Sequence, residues 1–578
     1  MKLFSYKTKL KELDLLEKHR KAENFPVASF LIPKKARKAI WALYKFARIA
    51  DEIADNKSLS SQKKLDKLNN FKNILTEYYE NNFENIEAQE APNFLKKYAE
   101  FCKNGVYDIR HMVNLLEAFI QDAEKNRYNN FEETLKYCDK SASVIGRAFL
   151  EACGEFDCDI KKSDNICRVL QLINHLQDLK SDYKNLGRIY FDNSFFPQNE
   201  NLTLPKETEE INLGKKRILD ILSEKISNAK NLPENIFSLR VRTELYTIIY
   251  ICIFLIKKLR KNDILRKRVE LNKFEKFLCG IIGFYKALCV KNIGKIVEIV
   301  ALKAKSSFVW PLKFLDKTKR KDMLTLYAFC KKADDIADEV DKNSEAKNNI
   351  EFFKKEILGI ASLDFYCYPT SPIIRQLNLV SIRNKIDKNI FLKIIEAQEM
   401  DLLGEMKYPS FGTLEDYAYK VAGCVGLASV KIFGYNKNNE DKISEFAINL
   451  GKALQLINII RDVEEDAKID RVYIPKNLAI KYGFDNEITY KIAINYKEYL
   501  PKIKPAIKEL ARIAEGYFYK ALNILPEEDR ESMRVALIMA RVYEIYLKKM
   551  KQKDFEFSKQ EISLNFIEKL GLINRYII

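Results

Sequence analysis

The chain has 578 residues, too many for one hydrophobic core and enough for two large domains. With 47% hydrophobic and 31% charged residues its composition is that of a water-soluble protein, and its 18 glycines and 14 prolines are roughly half the usual share, which argues for an almost purely helical protein without alternating strands. The net charge of +18 points to an anionic partner, either a phosphorylated substrate or lipid headgroups. No recognition motif for nucleic acid is visible, so that partner is set aside.

The lead, MKLFSYKTKLKELDLLEKHRK, is too charged for a signal peptide. Pro26 and Pro33 mark a loop before an apolar helix, WALYKFARIADEIAD, in which Asp51 and Asp55 stand four apart and share a face. Residues 56–100 read as a loop plus a helix. MVNLLEAFIQDAEKNRY and YCDKSASVIGRAFLEACG read as two more helices, the second with a small-residue centre at Ser141, Ala142 and Ser143 that allows close approach. QLINHLQDLKSDY then places Asp178 and Asp182 on one helix, again four apart. After GRIYF and a polar loop come about three more helices. Their most apolar runs, residues 245–256 and 277–290, are shorter than the roughly twenty residues a membrane span requires, so no transmembrane segment is expected. The eleven cysteines are odd in number and lack zinc-ligand spacing, which reads as reduced thiols in a cytosolic chain.

The plan then repeats. LTLYAFCKKADDIAD carries Asp334 and Asp338, 283 residues after the first pair, and QLINIIRDVEEDAKIDRVYIP carries Asp462 and Asp466, 284 residues after the second. Two features repeated in order at nearly one separation indicate a tandem duplication. The weakly similar tails of the repeats put the junction near residue 290, giving domains at 1–290 and 291–578.

Two facing helices with two aspartates each make a four-carboxylate cleft. All-oxygen ligands select Mg²⁺, which keeps several waters and bridges to substrate phosphates; no softer ligand suggests zinc. Arg48, Lys331, Arg461, Arg188 and Arg471 lie beside the acids and would clamp a diphosphate and stabilise its departing charge. Tyr137, Tyr190, Tyr250, Tyr417, Tyr473 and Tyr543 are candidates for an aromatic wall that shelters a carbocation from water. Gln171 and Asn174, and likewise Gln455 and Asn458, lie seven and four residues before Asp178 and Asp462, on the same helix face. No GxGxxG or Walker loop is present, Gly423 and Gly426 read as close packing, and His19, His111 and His175 are isolated.

At these residues both halves resemble the squalene/phytoene synthase family of head-to-head prenyl synthases. SSFVW, LYAFCKKADDIADE, YKVAGCVG and ALQLINIIRDVEEDAKIDRVYIP look like presqualene diphosphate synthase, and ENFPVASFLIP, FARIADEIAD, YCDKSASVIGR and INHLQDLKSDY look like hydroxysqualene synthase. The resemblance implies two tandem all-α class I terpenoid synthase domains. It implies that the C-terminal half joins two farnesyl diphosphates into presqualene diphosphate, and that the N-terminal half converts this to hydroxysqualene. A separate reductase would then complete squalene for hopanoid synthesis. It places Asp51, Asp55, Asp178, Asp182, Asp334, Asp338, Asp462 and Asp466 on metal aspartates, with Tyr417 and Tyr137 at the catalytic tyrosine. Substrate contacts would be Arg48, Gln171, Asn174, Arg188, Tyr190, Ser307, Lys331, Gln455, Asn458, Arg461, Arg471, Tyr473 and Tyr543. A cytoplasmic chain, peripheral on the membrane's inner face, is expected. Lys331 and Lys407 stand where arginine is usual, and the first half lacks VAG and has Gln177 in place of Arg461. The alternatives are a fusion making phytoene or dehydrosqualene, and a non-catalytic protein like the complex I assembly factor of this family, although all four acidic pairs are intact.

Overall fold

The structure is a computed structural model that describes residues 32–81, 91–197, 202–290, 295–303, 309–338, 343–484, 488–557, 561–565 and 568. Pro26, His19 and Ser307 lie outside them. The described residues form helices and turns with two isolated backbone bridges and no strand. They divide into two units: Met1–Lys295 with Ser362–Arg375, and Ile296–Ala361 with Gln376–Ile578.

In the first unit the helices are α1 (Lys34–Ala54), α2 (Ser61–Glu80), α3 (Asn93–Lys103), α4 (Arg110–Glu124), α5 (Phe131–Cys138), α6 (Val144–Cys153), α7 (Ile160–Gln177), α8 (Leu179–Leu186), α9 (Glu209–Ala229), α10 (Leu239–Lys261) and α11 (Lys273–Leu288). Side-chain caps set many of their starts. Ser60 accepts from Lys63 N, Asn130 from Glu133 N, and Asn272 with Glu275 forms a reciprocal capping box. On α1 the buried Ala36, Ile40, Leu43, Phe46 and Ala50 repeat at helical spacing. That stripe faces the core and leaves Arg48, Asp51 and Asp55 at its edge.

The second unit repeats the order with α12 (Ile296–Lys303), α13 (Lys317–Ala337), α14 (Asn343–Ile360), α15 (Pro372–Asn384), α16 (Lys388–Leu402), α17 (Phe411–Ala418), α18 (Cys424–Phe433), α19 (Glu440–Lys468), α20 (Lys476–Lys481), α21 (Ile488–Ile494), α22 (Tyr496–Ile524) and α23 (Arg534–Gln552). One turn of π-helix joins α5 to α6 at Asp139–Ser143, and another joins α17 to α18 at Tyr419–Gly423. Such wide turns are rare and occur mostly at functional sites. The second lies tight against α19: a Cβ on Gly451 would stand 2.6 Å from the Ala422 carbonyl oxygen, and one on Gly426 2.6 Å from that of Ala447. The close packing read from Gly426 in the sequence is therefore present.

The acidic helices differ between the units. In the second, Asp462 and Asp466 lie on the unbroken α19. In the first, the expected single helix ends at Gln177; Asp178 is the junction between α7 and α8, with φ −101° and ψ 4°. The break coincides with two ties to the loop after α10, where Gln177 Nε2 donates to the Val269 carbonyl and Arg268 grips Asp178.

Two further features concern the first unit. Residues Ser362–Arg375 belong to it although they follow α14 in sequence. Tyr368 donates to the buried Glu151 at 2.6 Å, Asn114 Nδ2 donates to the Leu363 carbonyl at 2.7 Å, and the Arg147 guanidinium lies 3.6 Å from the centre of the Phe365 ring. The second feature is α11, which packs Cys279, Gly283 and Ala287 inward and exposes Phe274, Phe277, Ile281, Phe284, Tyr285 and Leu288, each at least 50% accessible.

Candidate active site

Each unit holds an acidic cradle that opens onto an apolar cavity. In the second unit the cradle, about 760 Å³, is lined by Asp334 and Asp338 from α13 and Asp462 and Asp466 from α19, with Lys331, Arg461 and Arg471 among them. In the first, about 370 Å³, it is lined by Asp51 and Asp55 from α1 and by Asp178 and Asp182, with Arg48, Arg188 and Arg268. The four aspartates of each repeat thus face a common space, as their spacing predicted. Adjoining cavities of about 270 Å³ and 260 Å³ are walled by aliphatic and aromatic side chains. Gln455, Asn458 and Tyr543 line both spaces in the second unit; Arg48, Gln171 and Asn174 do so in the first.

The cations are already placed on the acids. Arg48 pairs with Asp51 at 2.9 Å and Lys331 with Asp334 at 2.9 Å. Arg188 reaches Asp55 at 3.2 Å and Arg471 reaches Asp338 at 2.7 Å, so each arginine crosses from one acidic arm to the other. Arg461 clasps the neighbouring Asp462, with Nε at 2.8 Å. At the corresponding place in the first unit, Gln177 is neutral and points to Val269, and the clasp comes from Arg268, at 2.6 and 2.9 Å from the two oxygens of Asp178. A charge lost from the helix is supplied by a loop 90 residues on.

Burial and the like charge four residues away push the second aspartate of each later pair up, Asp182 to about 7 and Asp466 to about 8; Asp334 is raised for the same reasons, with Asp338 as the like charge. Carboxylates crowded in this way favour a cation among them. Among the described residues no three such side chains converge closely enough to hold an ion alone. An all-oxygen set spread across a cleft suits Mg²⁺, which retains waters and shares its coordination with phosphate oxygens.

In the wall of each cradle sits a buried carboxylate that the sequence did not single out. Asp122, from α4, accepts from Tyr137 at 2.7 Å and Tyr190 at 3.2 Å; Asp401, from α16, accepts from Tyr417 at 2.9 Å and Tyr473 at 2.8 Å. Both are buried, and desolvation raises each to about 6 against the pull of Arg188 or Arg471. Burial beside these acids also raises Tyr137 and Tyr417 well above the usual phenol range, so both remain protonated. A repeated signal was available: EAFIQD ends at Asp122 and EAQEMD at Asp401. Backbone bridges Arg127–Ile189 and Lys407–Val472 fix the strand-like segments carrying Tyr190 and Tyr473 against these clusters.

Two sequence candidates, Tyr250 and Lys407, fall elsewhere. Tyr250 packs on the hydrophobic core and lines neither cavity of its unit, because α10 turns that position away. Lys407 pairs with the exposed Asp470 at 2.6 Å and stays outside the cradle. Ser307 lies outside the described residues. His111 is buried against Glu151, while His175, next to the broken helix, stacks on Tyr190 with ring centres 3.7 Å apart and lines the first cradle.

An all-α protein with paired acidic arms, arginine struts and an adjoining apolar chamber suits a ligand with an anionic head and a greasy tail. Residues 18–275 and 302–568 each match the model of the squalene/phytoene synthase family, and the chain belongs to that family, which makes it a transferase of isoprenoid biosynthesis. A presqualene diphosphate synthase from Sinorhizobium fredii is 29% identical over 273 residues, covering 47% of this chain and 93% of that protein. A hydroxysqualene synthase from Zymomonas mobilis is 33% identical over 265 residues, covering 44% of this chain and 84% of that protein. Among solved structures, a dehydrosqualene synthase in complex with ligand aligns with a TM-score of 0.40 at 23% identity, covering 49% of this chain and 93% of that one.

Proposed function

We propose that the chain is a bifunctional head-to-head prenyl synthase. The half at 291–578 joins two farnesyl diphosphates into presqualene diphosphate. The half at 1–290 releases diphosphate from that product and yields hydroxysqualene, which a separate reductase carries to squalene for hopanoid synthesis. The observation that carries this reading is the presence of two cradles of one design and unequal size. The second is about twice the volume of the first, in the sense expected if one site takes two diphosphates and the other takes one.

Bound Mg²⁺ would neutralise the diphosphate and stabilise it as it leaves. Asp51, Asp55, Asp178 and Asp182, and Asp334, Asp338, Asp462 and Asp466, would hold it. Lys331, Arg461 and Arg471 bind the leaving group in the second unit, and Arg48, Arg188 and Arg268 in the first. Gln171, Asn174, Gln455 and Asn458 orient it at the mouth of the apolar chamber. Tyr417, Tyr473 and Tyr543, and Tyr137 and Tyr190, turn ring faces to the developing cation. The chamber walls exclude water until the carbon skeleton has rearranged.

A cytoplasmic chain resting on the anionic inner face of a membrane completes the proposal. No described helix is long and apolar enough to cross a bilayer. The exposed face of α11 is rich in phenylalanine, its edges carry the exposed Lys273 and Lys286, and the whole chain is strongly cationic. That combination suits shallow insertion among acidic lipids.

The test is incubation of the purified chain with farnesyl diphosphate and Mg²⁺. Diphosphate release with presqualene diphosphate and hydroxysqualene is expected; inert substrate would refute the reading.

A further inference from the structure

The two chambers differ at the point where each meets its cradle. Val421, in the π-turn of the second unit, lines both the apolar cavity and the carboxylate space. Ser141, three residues into the π-turn of the first unit as Val421 is in its own, also lines both spaces. An isopropyl group in one repeat is thus a hydroxyl in the other, at the place where the carbon losing diphosphate would lie.

The Ser141 hydroxyl is unusual in what it touches. A serine within a helix ordinarily turns back to a carbonyl one turn earlier. Its neighbour Ser143 finds partners of another kind, its hydroxyl lying 3.4 Å from the Asp164 carbonyl on α7 and 3.4 Å from Asp139 Oδ1. Ser141 Oγ is buried and makes no hydrogen bond. Buried polar atoms without partners are rare, and one that faces a cavity is suited to a bound molecule. Of the other polar groups in the chamber wall, Tyr44, Ser163 and Glu244 do not line the cradle, while Arg48, Gln171 and Asn174 do but have polar counterparts, Lys331, Gln455 and Asn458, lining the second cradle, so they do not distinguish the repeats. His175, where the second unit has Ile459, lines the cradle only and is stacked on Tyr190.

We propose that Ser141 positions the water that captures the carbocation in the first unit, an inference that rests on reading that unit as the alcohol-forming one. The water's oxygen forms the new C–O bond to the cationic carbon. One of its O–H bonds breaks, and the proton passes to the departed diphosphate. No electron is gained or lost, and Ser141 is unchanged: its hydroxyl holds the water by a hydrogen bond. In the second unit Val421 offers no such bond, so the cation there closes its cyclopropane ring unquenched. Ser141 is a positioning residue, and what it governs is product partition rather than ionisation.

The experiment supplies presqualene diphosphate and Mg²⁺ to the full chain in H₂¹⁸O, for wild type, Ser141→Ala, Ser141→Val and Ser141→Thr. Diphosphate release is measured beside the ratio of labelled alcohol to hydrocarbon products formed by proton loss. In the Ala and Val variants the ratio should fall by about tenfold or more while release stays within about threefold of wild type, and the Thr variant should recover the alcohol. An unchanged ratio in Ser141→Ala overturns the proposal. So does loss of release at an unchanged ratio, which would make Ser141 a residue of ionisation, and so does a fall in the ratio seen in His175→Leu but not in Ser141→Ala. A wild-type chain that releases no diphosphate from presqualene diphosphate overturns the reading of the first unit itself, and is distinguished by failing before any variant is compared.

Discussion

Tyr417 donates a hydrogen bond to Asp401 at 2.9 Å in the wall of the second cradle. The same acid accepts from Tyr473 and faces Arg471, so one buried carboxylate fixes two aromatic rings and one strut. The Asp122 cluster does the same in the first unit. Asp401→Asn replaces an acceptor with an amide that can satisfy only one of the two phenols. Presqualene diphosphate formation should drop by about tenfold or more, while added presqualene diphosphate is still consumed at the wild-type rate. Asp122→Asn should give the converse. The two half-reactions, assayed separately, check both.

The same acid makes stability depend on pH. Burial lifts Asp401 from 3.8 to about 6, above its value in the unfolded chain. Its favourable contribution is therefore complete below about pH 4 and is lost as pH rises through 6. Relative to Asp401→Asn, the wild-type second unit should lose on the order of 2–3 kcal/mol between pH 4 and pH 7. Urea midpoints of the second unit's unfolding at the two pH values measure this.

Arg268 does in space what Arg461 does in sequence. Arg268→Gln leaves Asp178 without its clasp and weakens the grip on diphosphate in the first unit alone. KM for presqualene diphosphate should rise about tenfold with little change in kcat, and farnesyl diphosphate consumption should be untouched. Steady-state kinetics on each substrate distinguish this from general destabilisation.

Gly451→Ala would drive a methyl group to 2.6 Å from the Ala422 carbonyl oxygen and push α19 off the π-turn. A loss of about 1–3 kcal/mol in the second unit is expected, read by calorimetry, with presqualene diphosphate formation falling in parallel. Gly516→Ala, whose Cβ would meet nothing within 4 Å, serves as the control.

Phe277 and Phe284 stand on the exposed face of α11. Changing both to Glu should abolish co-sedimentation with vesicles rich in anionic lipid and leave turnover of detergent-dispersed substrate unchanged. Wild-type binding should weaken steeply as salt is raised.

Much of this was legible in the residues. The repeated aspartate pairs marked α1, α13 and α19 because like charges at helical spacing are conspicuous beside an apolar stripe. Their convergence followed from the duplication. Asp122 and Asp401 escaped notice because neither has a second aspartate four residues away to mark a pair, and only the repeated EA–D frame could have singled them out. Arg268 gave no signal at all: its partner is 90 residues away, and the loop that brings them together has no periodicity. The break at Asp178 was equally hidden, since QLINHLQDLKSDY reads as continuous helix and only tertiary ties to Val269 and Arg268 interrupt it.

The excursion Ser362–Arg375 bears on how such a chain could be divided. A gene cut at the boundary of the two repeats would produce an N-terminal protein lacking the phenol that meets Glu151 and the ring that covers Arg147, two buried charges then left open to water. Because the first unit includes a segment from beyond the repeat junction, dividing the chain there would leave that unit incomplete.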